Sequence, residues 1–129
     1  MGKNKEGRVN VKDGYGFHML PNGNWYEGWF AGGMMEGEGE FHYASGEHYE
    51  GEFHLNRMHG DGTYYFLNGE RYEGQFRNGR KNGKGTTFFA DGLKFEGSFR
   101  DDREHGEGVL HLGDGRRKRE VWERGELKE

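Results

Sequence analysis

The side chains best suited to chemistry in this sequence recur at a constant interval. Glu27, Glu50, Glu73 and Glu96 are each 23 residues apart. Two carboxylates serve as general acid and base, or as acid and nucleophile, when they flank one reacting bond within roughly 5 to 10 Å. If each interval of 23 residues forms one β-hairpin of a sheet, equivalent residues of neighbouring hairpins lie about 10 Å apart in a row. These four glutamates therefore predict a solvated stripe and no catalytic pair.

Histidines are the other candidate ligands. Of the seven, His42 and His48 flank one turn, whereas His59 and His105 share a repeat position two units apart. No third ligand is evident near His42 and His48, and zinc sites in proteins use three or four protein ligands. The chain has no cysteine and only two serines, of which Ser45 occupies a turn. We expect no metal, no cofactor and no enzymatic activity.

The segment Gly79–Thr86 superficially resembles a phosphate-binding loop. That motif requires four residues between its first Gly and the Gly-Lys pair, and three are present here. Its glycines also belong to the repeat described next. The segment therefore does not predict nucleotide binding.

The constant interval comes from an internal repeat of 23 residues. A five-residue unit of the pattern aromatic-Glu-Gly-x-aromatic occurs four times without insertion or deletion, at residues 26–30, 49–53, 72–76 and 95–99. A Gly-x-Gly pair follows each unit, and a turn residue with Gly precedes the next one. A fixed period of this length predicts a stacked array of small units.

Each repeat is predicted to form two short antiparallel strands. A three-residue loop, Ala44-Ser45-Gly46, suits a type I turn closed by a left-handed Gly. This loop places Phe41 opposite Tyr49 and Gly39 opposite Gly51 on the adjacent strand. Because a strand Gly has no side chain, an aromatic ring can lie on its backbone.

The composition fits such a sheet. The 129 residues include 26 Gly, 10 Phe, 7 Tyr and 3 Trp, with a net charge of −4. Aliphatic residues are too few for a second layer, so the rings form the only core. We predict an all-β fold: an elongated, twisted, single-layer antiparallel sheet of consecutive β-hairpins, with nine or ten strands and a length of roughly 45 Å. No apolar run approaches the roughly 20 residues of a membrane-spanning helix, which favours a soluble protein.

The repeat also predicts the domain organisation. Residues 1–12 form an N-terminal cap and residues 13–117 the array, with a half repeat at 13–25 and full repeats at 26–48, 49–71, 72–94 and 95–117. Residues 118–129 form a degenerate repeat or C-terminal cap, in which Glu120 replaces the expected Gly.

The unit Tyr-x-Gly-x-Phe/Trp, followed by Gly-x-Gly and Asn/Asp-Gly, resembles the MORN repeat (membrane occupation and recognition nexus). The departures are modest: Asn56 and Asp102 replace Gly, and Phe95 replaces Tyr. The resemblance implies a non-catalytic scaffold in the cytoplasm, used in cytoskeletal, ciliary and signalling complexes. A phosphoinositide-binding role at the membrane surface is the alternative that the family implies.

Three surfaces could bind a partner. Residues predicted on the face opposite the core are Met19, Trp29, His42, Tyr65, Leu67, Phe88 and His111. The rival is the aromatic face, with Tyr26, Phe30, Phe41, Tyr43, Tyr49, Phe53, Tyr64, Phe66, Tyr72, Phe76, Phe89, Phe95 and Phe99. Basic residues that could meet an anionic lipid or an acidic partner are Arg57, Arg77, Arg80, Lys81, Arg100, Arg103, Arg116, Arg117, Lys118 and Arg119.

These surfaces favour another protein as the partner, bound as a peptide, a helix or a complex subunit. Apolar side chains on a solvent-facing sheet surface are typical of docking sites. The two exposed strand edges also allow self-association. Nucleic acid is disfavoured because its binders concentrate positive charge.

Overall fold

Eleven antiparallel strands follow one another in chain order and form one open sheet in the computed structural model. The structure describes residues 12–129, together with the backbone of two short N-terminal strands, β1 (Lys3–Asn4) and β2 (Arg8–Val9), which pair with each other. The remainder of the predicted N-terminal cap, residues 1–12, lies outside the described residues.

Each strand of the large sheet pairs with the next strand in sequence. The strands are β3 (Gly14–Met19), β4 (Trp25–Ala31), β5 (Met34–His42), β6 (His48–His54), β7 (Arg57–Tyr65), β8 (Arg71–Arg77), β9 (Arg80–Phe88), β10 (Lys94–Arg100), β11 (Arg103–His111), β12 (Arg117–Glu123) and β13 (Glu126–Leu127). The predicted fold class is confirmed. The predicted count of nine or ten strands was too low, because the degenerate repeat closes a complete hairpin between β12 and β13.

The loop between successive repeats has the predicted geometry. The Tyr43 N–H donates to the Glu47 carbonyl at 2.9 Å, the Gly46 N–H donates to the Tyr43 carbonyl at 2.9 Å, and Gly46 has φ +106°. Phe41 consequently faces Tyr49 across β5 and β6. The register predicted from a three-residue loop is confirmed.

The turn inside each repeat is tighter and has two central residues with positive φ, as in a type I′ hairpin. The pairs are Gly32-Gly33, Leu55-Asn56, Asn78-Gly79, Asp101-Asp102 and Arg124-Gly125. Asn and Asp tolerate this left-handed region better than other residues with a Cβ. The departures from Gly at Asn56 and Asp102 therefore preserve the turn.

The two glycines of each Gly-x-Gly pair have different structural roles. The first, such as Gly60, has positive φ (+63°) and lies where β7 shifts register against β6. A glycine permits this β-bulge, which bends the strand. The second, such as Gly62, lies beneath a ring: a Cβ added there would be 2.4 Å from Cε1 of Tyr49.

The core is a continuous chain of rings on this one face. Tyr49 packs edge-on against Phe53 of its own repeat at 5.1 Å and against Phe76 of the next repeat at 5.0 Å, and the same contacts recur along the sheet. Tyr26, Tyr49 and Tyr72 are fully buried. Each of their hydroxyls donates to a backbone carbonyl three residues later, at 2.8 to 2.9 Å.

Candidate functional site

One row of side chains crosses ten strands on the outer face, the face opposite the ring core. Cross-strand pairing places one residue of each strand in this outer row: Met19, Trp25, His42, His48, Tyr65, Arg71, Phe88, Lys94, His111 and Arg117. The imidazole of His42 stacks on Trp25 with 3.9 Å between centroids, and His48 stacks on Tyr65 at 4.2 Å. Farther along, the Arg71 guanidinium lies 3.8 Å above the Phe88 ring.

This stacking gives the outer row a structural role. Cross-strand pairs of this kind contribute about 0.2 to 1 kcal/mol each. Most of its rings are half-buried because they cover one another. The row therefore stabilises the sheet and leaves little free apolar surface at its centre.

Five of the seven residues predicted for docking on this face lie in the outer row: Met19, His42, Tyr65, Phe88 and His111. Trp29 is on the outer face but outside the row, where it packs edge-on against Tyr15 at 5.5 Å. The prediction for Leu67 was wrong, because Leu67 lies in the loop between β7 and β8, close to Gly46.

Sequence reasoning missed the other members of the outer row, among them Trp25, His48 and Arg71. These residues begin their strands and follow polar loops, so they do not form an apolar pattern by themselves. The predicted register contained the signal, because a loop that pairs Tyr43 with Glu47 also pairs His42 with His48.

The histidines and glutamates of the outer face pair with each other. Nε2 of His42 lies 3.1 Å from the Glu40 carboxylate, and Nε2 of His48 lies 3.1 Å from the Glu50 carboxylate. Arg71 makes the corresponding pair with Glu73 at 2.8 Å. Across the described residues, no three His, Cys, Asp or Glu side chains are grouped so that they could hold a metal ion.

The opposite face carries a depression of about 330 Å³, the aromatic groove. Its walls are Tyr43, Met58, Tyr64, Phe66, Phe76, Gly79, Lys81 and Asp102. All thirteen residues predicted on the aromatic face are on this side; eight are buried in the ring core, and Phe41, Tyr43, Tyr64, Phe66 and Phe89 stay partly exposed. The partly exposed rings are the ones that a partner can reach.

Lys81 lies in this groove and not with the other basic residues, so its predicted place in the basic cluster was wrong. Its ammonium is 5.1 Å from the centroids of Phe66 and Tyr72 and 5.7 Å from that of Phe99. Desolvation by these rings lowers the pKa of Lys81, against the opposing effect of Glu104 and Asp102. Within the described residues, the ammonium has no carboxylate within ion-pair distance.

The remaining basic residues form two separate groups. Five arginines line the edge of the sheet that carries the tight turns, and we call them the arginine row: Arg57, Arg77, Arg80, Arg100 and Arg103. Arg116, Arg117, Lys118 and Arg119 begin at the opposite edge, in and after the loop between β11 and β12. In that second group Arg116 pairs with Asp114 and Arg119 with Glu107.

In the part of the chain that the structure describes, no helix is long and apolar enough to cross a membrane.

The described geometry agrees with the comparison to known families. The family model for the MORN repeat matches four consecutive segments, residues 26–48, 49–71, 72–94 and 95–116. No curated protein matches the chain at a significant level. The four segments cover most of the 129 residues and coincide with the hairpins built on Tyr26, Tyr49, Tyr72 and Phe95. The chain therefore belongs to the MORN-repeat family.

Proposed function

We propose that this chain is a non-catalytic scaffold that binds a segment of a partner protein in the aromatic groove. The observation that supports this most directly is the set of partly exposed rings that line the groove, Tyr43, Tyr64 and Phe66. Aromatic side chains are enriched at the buried centres of protein interfaces. A single-layer sheet leaves these rings without a covering layer of its own.

The groove is a better docking site than the outer row. Rings of the outer row stack face to face, as His42 does on Trp25, so that much of their apolar surface is already covered. In the groove, Phe66 and Tyr64 meet at an angle of 47° and border an open volume. A partner side chain entering there would bury apolar area that the sheet itself leaves exposed.

Lys81 gives the groove polar specificity, and Glu47 fixes one of the rings that line it. The Lys81 ammonium is partly desolvated by the surrounding rings, and a partner carboxylate would supply the ion pair that it lacks. The Tyr64 hydroxyl donates to Glu47 at 2.8 Å, which fixes that ring. We expect the bound segment to be apolar and aromatic with one acidic residue placed over Lys81.

The experiment compares two double variants whose substituted residues are neighbours in sequence but lie on opposite faces of the sheet. Phe66→Asp with Phe89→Asp, the groove variant, alters two partly exposed rings of the aromatic face, of which Phe66 lines the groove. Tyr65→Asp with Phe88→Asp alters the outer row. Full-length tagged chain is expressed in cells, and proteins that co-purify are quantified by mass spectrometry. The groove variant should lose its stoichiometric partner, and the outer-row variant should keep it.

The opposite pattern, with loss only in the outer-row variant, would place the site on the outer face. Absence of any stoichiometric partner for the unaltered chain would refute the scaffold proposal. Circular dichroism of each variant establishes that it still forms the sheet. The proposed setting, a cytoskeletal or ciliary complex in the cytoplasm, rests on the family alone, and imaging of the tagged chain tests it.

A further inference from the structure

The arginine row is an array of positive charge without an ion-pair partner in the part of the chain that the structure describes. Its five guanidinium groups come from five consecutive strands, β7 to β11, and all five side chains are exposed. Among the described residues, none of them forms an ion pair with a carboxylate; the ion pairs that are present involve other arginines, such as Arg71 and Arg116. Of the described acidic residues, Asp101 alone lines the depression around Arg77 and Arg80.

The pairing of strands makes this arrangement unfavourable for folding. Arg77 lies directly opposite Arg80, and Arg100 lies directly opposite Arg103. Like charges directly opposite each other destabilise an antiparallel pair. The corresponding positions of the first hairpin hold Ala31 and Met34, so the fold does not require arginine there.

The row has the dimensions of a short extended peptide. Neighbouring strands are about 4.8 Å apart, so five strands span about 19 Å, the length of about six extended residues. Arg57, Arg77, Arg80 and Arg100 line one depression of about 460 Å³, and the amides of Asn78 and Asn82 lie beside them. The planar guanidinium of arginine binds a carboxylate through two parallel hydrogen bonds, so a row of arginines favours a ligand with several carboxylates in sequence.

A flat anionic membrane fits the surroundings less well. The turn residues Asp101 and Asp102 lie between Arg100 and Arg103 at this edge, so a lipid surface that met the arginines would meet two carboxylates as well. Residues 13–56, in the same sheet, contain eight Asp or Glu and no Lys or Arg. A narrow acidic segment can lie along the arginine row without approaching the acidic residues 13–56, whereas a bilayer would face the arginine row and those acidic residues together.

We propose that the arginine row binds an extended, carboxylate-rich segment of a partner protein. The site is separate from the aromatic groove and does not depend on the function proposed for it. Both sites could hold parts of one partner.

The test uses a fluorescent ten-residue glutamate peptide and the full chain, with anisotropy measured at low and physiological salt. Arg77→Gln with Arg100→Gln removes one charge from each opposed pair. Its matched control, Arg116→Gln with Arg117→Gln, removes the same charge at the opposite edge. We expect at least a tenfold loss of affinity for the first variant and less than a twofold loss for the control. The groove variant Phe66→Asp with Phe89→Asp should retain the affinity of the parent.

Equal losses in the two arginine variants would overturn the proposal, because binding would then follow net charge alone. Retained affinity without Arg77 and Arg100 would overturn it too. A third result would overturn it: the peptide does not bind, but the chain floats with phosphoinositide vesicles and Arg77→Gln with Arg100→Gln abolishes that flotation.

Arg77→Lys with Arg100→Lys keeps the charge without the paired hydrogen bonds of a guanidinium and should bind the peptide with intermediate affinity. Because the opposed arginines repel each other, the Gln variant should unfold at the same temperature as the parent or higher.

Discussion

The missing side chain of Gly62 makes room for the most buried ring of its repeat. A Cβ at this position would lie 2.2 Å from Oη and 2.4 Å from Cε1 of Tyr49. Tyr49 cannot move away, because its ring is fixed between Phe53 and Phe76. A ring on bare glycine backbone is thus the packing unit of the whole sheet.

Gly62→Ala is expected to lower the free energy of unfolding by about 2 to 3 kcal/mol, the range of overpacking in a tight core. Gly113→Ala is the matched control. Gly113 has nothing within 4 Å of its added Cβ and no positive φ, so we expect a change within about 0.5 kcal/mol. Urea unfolding measures both; equal stability of the two variants would contradict the assigned role of Gly62.

Phe95 is the one leading ring of the four repeats that lacks a hydroxyl. The Tyr72 hydroxyl donates to the Gln75 carbonyl at 2.9 Å, and the residue at the same spacing from Phe95 is Ser98. Phe95→Tyr should therefore add a hydrogen bond and raise stability by about 1 kcal/mol. The reverse change, Tyr72→Phe, should lower it by a similar amount. Urea unfolding tests both, and a loss of stability in Phe95→Tyr would show that the fourth repeat packs differently.

At the scale of the element, the tight turns set the hairpins and store local strain. Leu55 has φ +48°, a left-handed conformation that is unfavourable for a residue with a Cβ, whereas Asn78 fills the same turn position in the next repeat. Leu55→Asn should stabilise the protein by roughly 0.5 to 1 kcal/mol. Leu67→Asn is the control in the other kind of loop and should give no gain. A thermal melt in which both variants gain or both lose would contradict this interpretation.

The elements also show how far sequence reasoning extends. The loop Ala44-Ser45-Gly46 fixed the register because only a three-residue loop aligns Phe41 with Tyr49. Lys81 was misplaced because its position near the loops was considered without its pairing. The two-residue turn Asn78-Gly79 pairs Arg77 with Arg80 and Phe76 with Lys81, which puts Lys81 on the ring face. Leu67 was misplaced because hydrophobicity alone does not distinguish a loop residue from a strand residue.

At the scale of the molecule, the tyrosines of the ring core make the free energy of unfolding decrease at alkaline pH. Burial raises the pKa of Tyr26, Tyr49 and Tyr72 well above the ordinary value. In the unfolded chain these groups ionise near pH 10. The contribution of these protonated hydroxyls to the free energy of unfolding is complete below pH 10. It is lost as the pH rises above 10 towards the raised pKa values of the folded state. Lys81, with its lowered pKa, acts in the opposite direction.

The free energy of unfolding should therefore fall above pH 10, by up to about 1.4 kcal/mol per pH unit for each buried tyrosine. Urea unfolding at pH 9, 10.5 and 11.5 measures this fall. Tyr72→Phe should have a shallower slope than the parent. A flat profile between pH 9 and 11.5 would contradict the burial of these hydroxyls.

The whole sheet has two faces, and the partner is proposed to occupy the aromatic groove on one of them. Hydroxyl-radical footprinting measures this at side-chain resolution, with the full chain compared alone and in its co-purified complex. If the partner occupies the groove, Tyr43, Tyr64 and Phe66 become protected in the complex, while Tyr65 and Phe88 on the outer face oxidise at the same rate as in the free chain. Protection of Tyr65 and Phe88 without protection of Tyr64 and Phe66 would contradict it.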